Sequence, residues 1–134
     1  MRQREIIFRG KPKYGAGWAY GFYSIRAGIS YISFMNEGRH NQWTDVEVIP
    51  ETIGQYINLE DSFGDKIYEG DIVHTNTGKN YIVAYADCWG RYMLSHDNES
   101  CYKYITDWPD KETLPANMGI IGNISDNPEL LGGK

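Results

Sequence analysis

Cysteine is scarce in this 134-residue chain: Cys88 and Cys101 are the only two. A chain of this length buries about two thirds of its unfolded surface, so it is expected to fold without covalent staples. Long apolar runs are missing too. Nothing approaches the length of a membrane span, and no apolar stretch follows the charged N-terminus as in a secretion signal. The expected compartment is the cytoplasm of a cell, with no membrane association and with both thiols reduced. Positive charge is in the minority, 13 Lys and Arg against 18 Asp and Glu, for a formal net charge of −5. An acidic body repels phosphate backbones, which argues against nucleic acid as a partner. The exception is residues 1–14, where Arg2, Arg4, Arg9, Lys11 and Lys13 face only Glu5. Charge at the start of a strand is commonly a solubilising edge device, although it would also suit an anionic partner.

Aromatic residues are abundant, 14% of the chain with 11 Tyr and 4 Trp, beside 15 Gly. Rings and β-branched residues suit pleated, half-buried surfaces and Gly punctuates turns, so the composition is that of an all-β protein with little helix. A first strand is expected over Arg4-Glu5-Ile6-Ile7-Phe8, closed by Gly10-Lys11-Pro12. Trp18, Tyr20 and Phe22 alternate with Ala19, Gly21 and Tyr23, the period-two pattern of a strand. Gly28 separates this run from Ile29 to Met35, and Asn36-Glu37-Gly38 supplies the next turn. Val46 and Val48 then point one way while Asp45 and Glu47 point the other. Pro50-Glu51-Thr52 breaks the pattern before an extended run, Ile53 to Leu59. Residues 1–58 therefore read as an N-terminal β region, a meander of short strands.

Residues 59–134 carry sharper punctuation. After the polar loop Glu60 to Lys66, the turn Glu69-Gly70-Asp71 needs the φ freedom of Gly and launches Ile72-Val73-His74-Thr75. Asn76 to Lys79 is a hairpin loop leading into Tyr81 to Tyr85. Asp87 to Gly90 turns into Tyr92-Met93-Leu94-Ser95, and Cys101 to Ile105 alternates again. A late strand, Met118 to Ile124, closes the set. Short strands with a late return suggest a small closed or half-open barrel. A helical turn ends the chain, with Asn127 as N-cap, Pro128 where a missing N–H is harmless, Glu129 on the dipole, and Leu130 and Leu131 as anchors.

Three segments in order carry a resemblance. Arg4 to Gly10 is the first. The second is Thr52-Ile53-Gly54-Gln55-Tyr56, continued by Gly64 through Tyr68, Glu69, Gly70 and Asp71 to Val73. The third is Ile121-Gly122-Asn123-Ile124, followed by Asp126, Asn127, Pro128 and Glu129 to Leu131. The chain is identified by these as resembling the YopX-like family of small proteins encoded by bacteriophages and prophages. It departs from the family at Ile57-Asn58, where Thr-Gly usually precedes the leucine. The resemblance implies an SH3-like barrel in the C-terminal half. It implies no assigned activity, cofactor or catalytic residue. Tyr68, Glu69, Gly70, Asp71, Gly122, Asn123, Asn127 and Pro128 stand as its structural signature.

Catalytic and metal-binding constellations are thin. Cys88, Cys101, His74 and His96 are the only soft-ligand set, but they lack the close pairing a tetrahedral zinc site needs, so no metal is expected. Isolated cysteines are usually small buried hydrophobes. Asp61, Asp65, Glu69 and Asp71 cluster around one loop without the ligand order of a calcium loop. Asp71 is read as bonding its own turn, with Asp61 and Asp65 solvated. Phosphate loops and nucleophile elbows are missing. What remains is the aromatic set Trp89, Tyr92, Tyr102, Tyr104 and Trp108, near turns or on alternating strand faces. Rings of this kind bind extended peptides on SH3-like barrels, and elsewhere they simply fill cores. The function this points to is a non-enzymatic accessory protein that binds a host or phage protein. The alternative is a small hydrolase or transferase using Glu69, Asp71 or His96. A homo-oligomer would hide exposed strand edges and rings.

Overall fold

The computed structural model describes residues 4–74, 78–86, 90–95, 103–104 and 119–132. The chain is mostly β and forms two compact units, residues 1–56 and 57–134.

The first unit contains β1 (Phe8–Gly10), β2 (Ala19–Arg26), β3 (Ile29–Asn36), β4 (Gln42–Glu47) and the start of β5 (Gly54–Glu60). All neighbours run antiparallel, in the order β4-β3-β2-β1-β5. Strands β2 and β3 are joined by a two-residue turn in which Ala27 and Gly28 both take positive φ, 53° and 78°. That is the type I′ geometry whose twist matches a hairpin. The breaks expected at Asn36-Glu37-Gly38 and Pro50-Glu51-Thr52 are single turns of 3₁₀ helix, Glu37–Arg39 and Pro50–Thr52. Asn36 caps the first by accepting from the Gly38 amide.

Residues 11–13 continue β1 along the far end of β4. Pro12 bridges Val48, the Lys13 amide donates to the Glu47 carbonyl, and the Ile49 amide donates to the Lys11 carbonyl. Strands β1 to β4 form the expected meander, and this added contact closes the run on itself. Inward-facing positions fill it: Ala19, Ile32 and Val48 are buried, packed by Phe8, Tyr23, Val46 and Ile53. Val46 and Val48 face the core, as their alternation with Asp45 and Glu47 implies.

The first strand starts at Phe8, not at Arg4. Ile6 is exposed, and of the residues before Phe8 the Ile7 carbonyl accepts from the Tyr56 amide. An apolar pair alone does not make a strand without a ladder on which to lie.

The second unit contains the rest of β5, then β6 (Lys66–Tyr68), β7 (Asp71–His74), β8 (Asn80–Ala86), β9 (Arg91–Ser95), β10 (Lys103–Tyr104), β11 (Gly119–Asn123) and α1 (Glu129–Gly132). Strands β7 to β11 form one antiparallel sheet in the order β10-β9-β8-β7-β11. The late strand does return to the first of the set. Ile67, Val73, Tyr81, Val83 and Leu94 form its core, with Ile57, Leu59 and Ile120 packed against them. Ile72, Ile82 and Met93, on alternate positions, are buried as well. Burial on both faces accounts for the uninterrupted apolar runs in β7, β8 and β9.

Asn58, inside β5, has a φ of 66°. This is where the chain departs from the family's Thr-Gly. The left-handed backbone explains the pair: Gly adopts it freely, and Asn is among the side chains that best tolerate it.

Candidate binding surface

In an antiparallel ladder, partners share a face, so the registers of β2, β3 and β4 fix what the outer side of the first unit presents. Phe22 pairs with Ser33 and Ser33 with Asp45. One row away Met35 pairs with Trp43, and one row the other way Ser24 pairs with Tyr31 and Tyr31 with Glu47. Tyr20 has the same parity as Phe22. The opposite side holds Tyr23, Ile32 and Val46, the core.

This outer face is apolar where a single-layer sheet is ordinarily polar. Phe22 is 58% exposed, Trp43 55%, Met35 48% and Tyr20 47%. The Phe22 and Trp43 rings meet across β3 with centroids 5.9 Å apart and planes tilted by 39°. Single exposed hydrophobes are common on protein surfaces, whereas a cluster of large ones marks an interaction site. The rotamers of two rings in contact are also partly fixed before any partner arrives, which lowers the ordering cost of binding.

A polar border adjoins the rings. The Ser33 hydroxyl donates to Asp45 Oδ1 at 2.6 Å and Arg26 Nη2 lies 2.9 Å from Asp45 Oδ2. The Ser33 hydroxyl, and after it Arg26, hold the Asp45 carboxyl below the usual carboxylate range. The Arg26 guanidinium also sits 4.1 Å from the centre of the Tyr31 ring. Lys13 pairs with Glu47 at 3.2 Å, which raises the ammonium's pKa. A carboxylate held ionised by a hydroxyl and a guanidinium is a poor proton acceptor at neutral pH. The border is therefore suited to positioning and not to acid–base work.

Gly70, Asp71, Gly122, Asn123 and Asn127 of the signature are tied into local turns of the second unit. Gly70 has a φ of 95°, and its turn is fixed by the Tyr68 amide donating to Asp71 Oδ2 at 2.8 Å. The Gly70 amide donates to the Val83 carbonyl, and the Gly70 carbonyl accepts from the Ile124 amide. Asp71 is buried, engaged as its turn demands. A Cβ on Gly122 would fall 2.5 Å from Asn127 Oδ1, the atom that accepts from the Asn123 amide. Asn123 and Asp126 exchange two further bonds. The side chain of Asn127 thus turns back onto Asn123, and its carbonyl, not its side chain, takes the Leu130 amide before Pro128 and α1. The Leu130 carbonyl in turn accepts from Asn80 Nδ2 at 3.0 Å.

Asp61 departs from expectation. It is 1% exposed, not solvated. Oδ1 accepts from the Phe63 and Asp65 amides, both at 2.9 Å, and Oδ2 from the Ile120 amide at 3.1 Å. Three main-chain donors compensate the burial of the carboxylate. Asp65 is exposed as read from the sequence. Among the described residues no group of three or more His, Cys, Asp or Glu is placed to hold a metal ion.

Of the aromatic set expected to bind, Trp89, Tyr102 and Trp108 lie outside the described residues, as do Cys88, Cys101 and His96. Tyr104 is placed on β10 opposite Met93. Tyr92 is half-buried and packs edge-on against Tyr85, with centroids 5.2 Å apart. Tyr85 is 47% exposed. Sequence reasoning missed Tyr20, Phe22, Met35 and Trp43 as site residues. Parity held the signal: Trp43 shares its phase with Asp45 and Glu47, already read as outward, and adjacent Phe22 and Tyr23 must face opposite ways.

Comparison with known proteins bears on the family. Against curated proteins the sequence finds no match. Among solved structures, the chain is similar to the crystal structure of protein EF1440 from Enterococcus faecalis. The TM-score is 0.56 at 19% identity, over 96% of this chain and 99% of that one. At that identity the likeness is one of fold. Among the described residues, no helix is long and apolar enough to cross a membrane. The family description "YopX protein" matches residues 8–132, nearly the whole length, and the chain belongs to the YopX family.

Proposed function

We propose that this chain is a phage- or prophage-encoded accessory protein of the bacterial cytoplasm that acts by binding another protein, without catalysis. The observation that carries this reading is the solvent-facing cluster of Tyr20, Phe22, Met35 and Trp43 on β2, β3 and β4. Aromatic and Met side chains are the types enriched at the anchor points of protein interfaces, and a polar border such as Arg26, Ser33 and Asp45 suits an interface rim. The second unit is taken as an SH3-like scaffold. Its short antiparallel strands, with β11 returning to β7, support this, and Tyr85 with Tyr92 offers a smaller second contact. Affinity capture from a phage-infected lysate tests the reading. The wild-type chain is expected to retain a defined protein that the Phe22→Ser, Trp43→Ser double variant releases. Light scattering on both proteins distinguishes a second copy as the partner: a dimer that dissociates in the double variant would assign the face to self-association.

A further inference from the structure

In the sheet order β4 is an edge strand, and its outer edge is only partly covered. The Val48 amide donates to the Ser30 carbonyl, so the β3–β4 register turns the main-chain groups of Gln42, Thr44, Val46 and Val48 toward β3. Trp43, Asp45, Glu47 and Ile49 direct theirs the other way. On that side the Glu47 carbonyl accepts from the Lys13 amide and the Ile49 amide donates to the Lys11 carbonyl. Past Lys13 the chain leaves the edge, in turn and bend over residues 14–17. Among the described residues, no main-chain group is bonded to Trp43 or Asp45 on that side, and both residues are exposed.

Beside this open stretch lies a cavity of about 370 Å³, lined by Pro12, Trp18, Ala19, Tyr20, Phe34 and Val46. Ala19 and Val46 belong to the core of the unit, and Phe34 is in phase with Ile32. Pro12 shares a face with its bridge partner, the buried Val48. The cavity therefore opens the inner side of the unit where residues 11–13 leave β4. Its volume falls in the range of ligand pockets, about 300–1,000 Å³, which is ample for one apolar side chain.

We infer that β4 takes an extended segment of the partner protein as an added antiparallel strand, paired through the Trp43 and Asp45 main chain, with one apolar side chain in the cavity. Both parts follow from strand alternation. Residues of the added strand opposite Trp43 and Asp45 exchange main-chain bonds with them and stand on the outer side, where a β-branched or aromatic residue suits the Trp43 ring. The residue between them, opposite Thr44, faces inward. A second copy of β4 fits poorly. Centred on Trp43 or Thr44, it offers polar Gln42 or Thr44 to an apolar cavity; centred on Asp45, it sets two carboxylates opposite one another. The inference rests on the reading of the Trp43 face as a protein-binding surface and states how the partner is held there.

The test is fluorescence anisotropy with the full chain and a labelled heptapeptide: a central leucine flanked by valines, then threonines, with a lysine at each end. Saturable binding is expected. N-methylation of both valines, whose amides face β4 in the added strand, should weaken it about tenfold or more. N-methylation of the leucine, whose amide faces away, should leave it within about twofold. Alanine in place of the leucine should weaken binding about tenfold, and so should Ala19→Leu, which fills the cavity. Should that variant not fold, the alanine peptide reads the same contact from the other side. By NMR, hydrogen exchange of the Trp43 and Asp45 amides should slow about tenfold or more on saturation. The proposal is overturned if the heptapeptide does not bind up to about millimolar concentration, if the valine-methylated peptide binds as well, or if both amides exchange as before. Slow exchange of these amides in a dimer of the chain alone would overturn it in favour of self-pairing. A capped leucine that binds as tightly as the heptapeptide would overturn it in favour of a small apolar ligand. A partner captured through Phe22 and Trp43 that leaves the exchange of both amides unchanged would overturn it too, while the reading of the face stands.

Discussion

Removing the Asp61 carboxylate should cost the second unit a large part of its stability. Three main-chain amides, those of Phe63, Asp65 and Ile120, donate to it, and the side chain is almost fully buried. Hydrogen bonds to a charged group are worth about 1.5–3 kcal/mol each, and a buried donor left without an acceptor forfeits its solvation as well. Phe63 and Asp65 are exposed residues, so water can reach their amides and reduce the loss there. Ile120 is half-buried on β11, where replacement by water is harder. Asp61→Ala is therefore expected to lose about 3–4 kcal/mol, a large share of the roughly 5–15 kcal/mol that holds a domain folded. Asp61→Asn keeps the shape and one acceptor, but its NH₂ must face an amide donor, for a loss of about 1–2 kcal/mol. Urea titration gives both values. Hydrogen exchange at the Ile120 amide localises the effect, with protection falling in the order wild type, Asn, Ala. An Ala variant within about 1 kcal/mol of wild type, or unchanged protection of Ile120, would refute the reasoning.

Three further outcomes follow from the first unit. A Cβ on Gly21 would sit 2.2 Å from the Ser33 carbonyl oxygen, so Gly21→Ala must force β2 from β3 and is expected to cost about 2–3 kcal/mol or prevent folding, read by circular dichroism and thermal melting. Ala27 occupies the left-handed first position of a type I′ turn ahead of Gly28, so Ala27→Asn should stabilise by about 0.5–1 kcal/mol in the same melt. The Asp45 carboxyl is held low, so it stabilises the fold above the ordinary carboxylate pKa, and that contribution is lost as pH falls through the lowered value. The melting temperature of wild type should therefore drop more steeply on acidification than that of Asp45→Asn; equal slopes would contradict the assignment.

How far these features were legible in the sequence depended on whether the cause was local. The Gly70-Asp71 turn was readable because its requirements, a positive φ and a short acceptor, belong to adjacent residues. Strand β2 was readable from its alternation, but alternation does not say which face is inside. Tyr23 and Phe22 are both aromatic, and only pairing with Ile32 and Ser33 separates core from surface. The closure through Pro12 and Val48 joins segments 36 residues apart, and no local pattern announces such a contact. Asp61 shows the same limit. Its neighbours in sequence form a polar loop, yet Ile120, which completes its burial, comes from a distant strand. For the candidate site, sequence favoured rings of the second unit, whereas the largest described aromatic cluster on a surface lies in the first. Of the carboxylates that invited a chemical reading, Asp71 and Asp61 are engaged by main-chain amides.

The central claim is that the Phe22–Trp43 face binds a protein partner. Quantitative capture from infected-cell lysate, with wild type and the Phe22→Ser, Trp43→Ser variant run side by side, tests it most directly. Both chains must first give the same circular dichroism and melting curve, as expected for substitutions at exposed positions. One partner strongly enriched on the wild type and lost from the variant is expected. Identical retained proteins on both, with both chains monomeric, would contradict it.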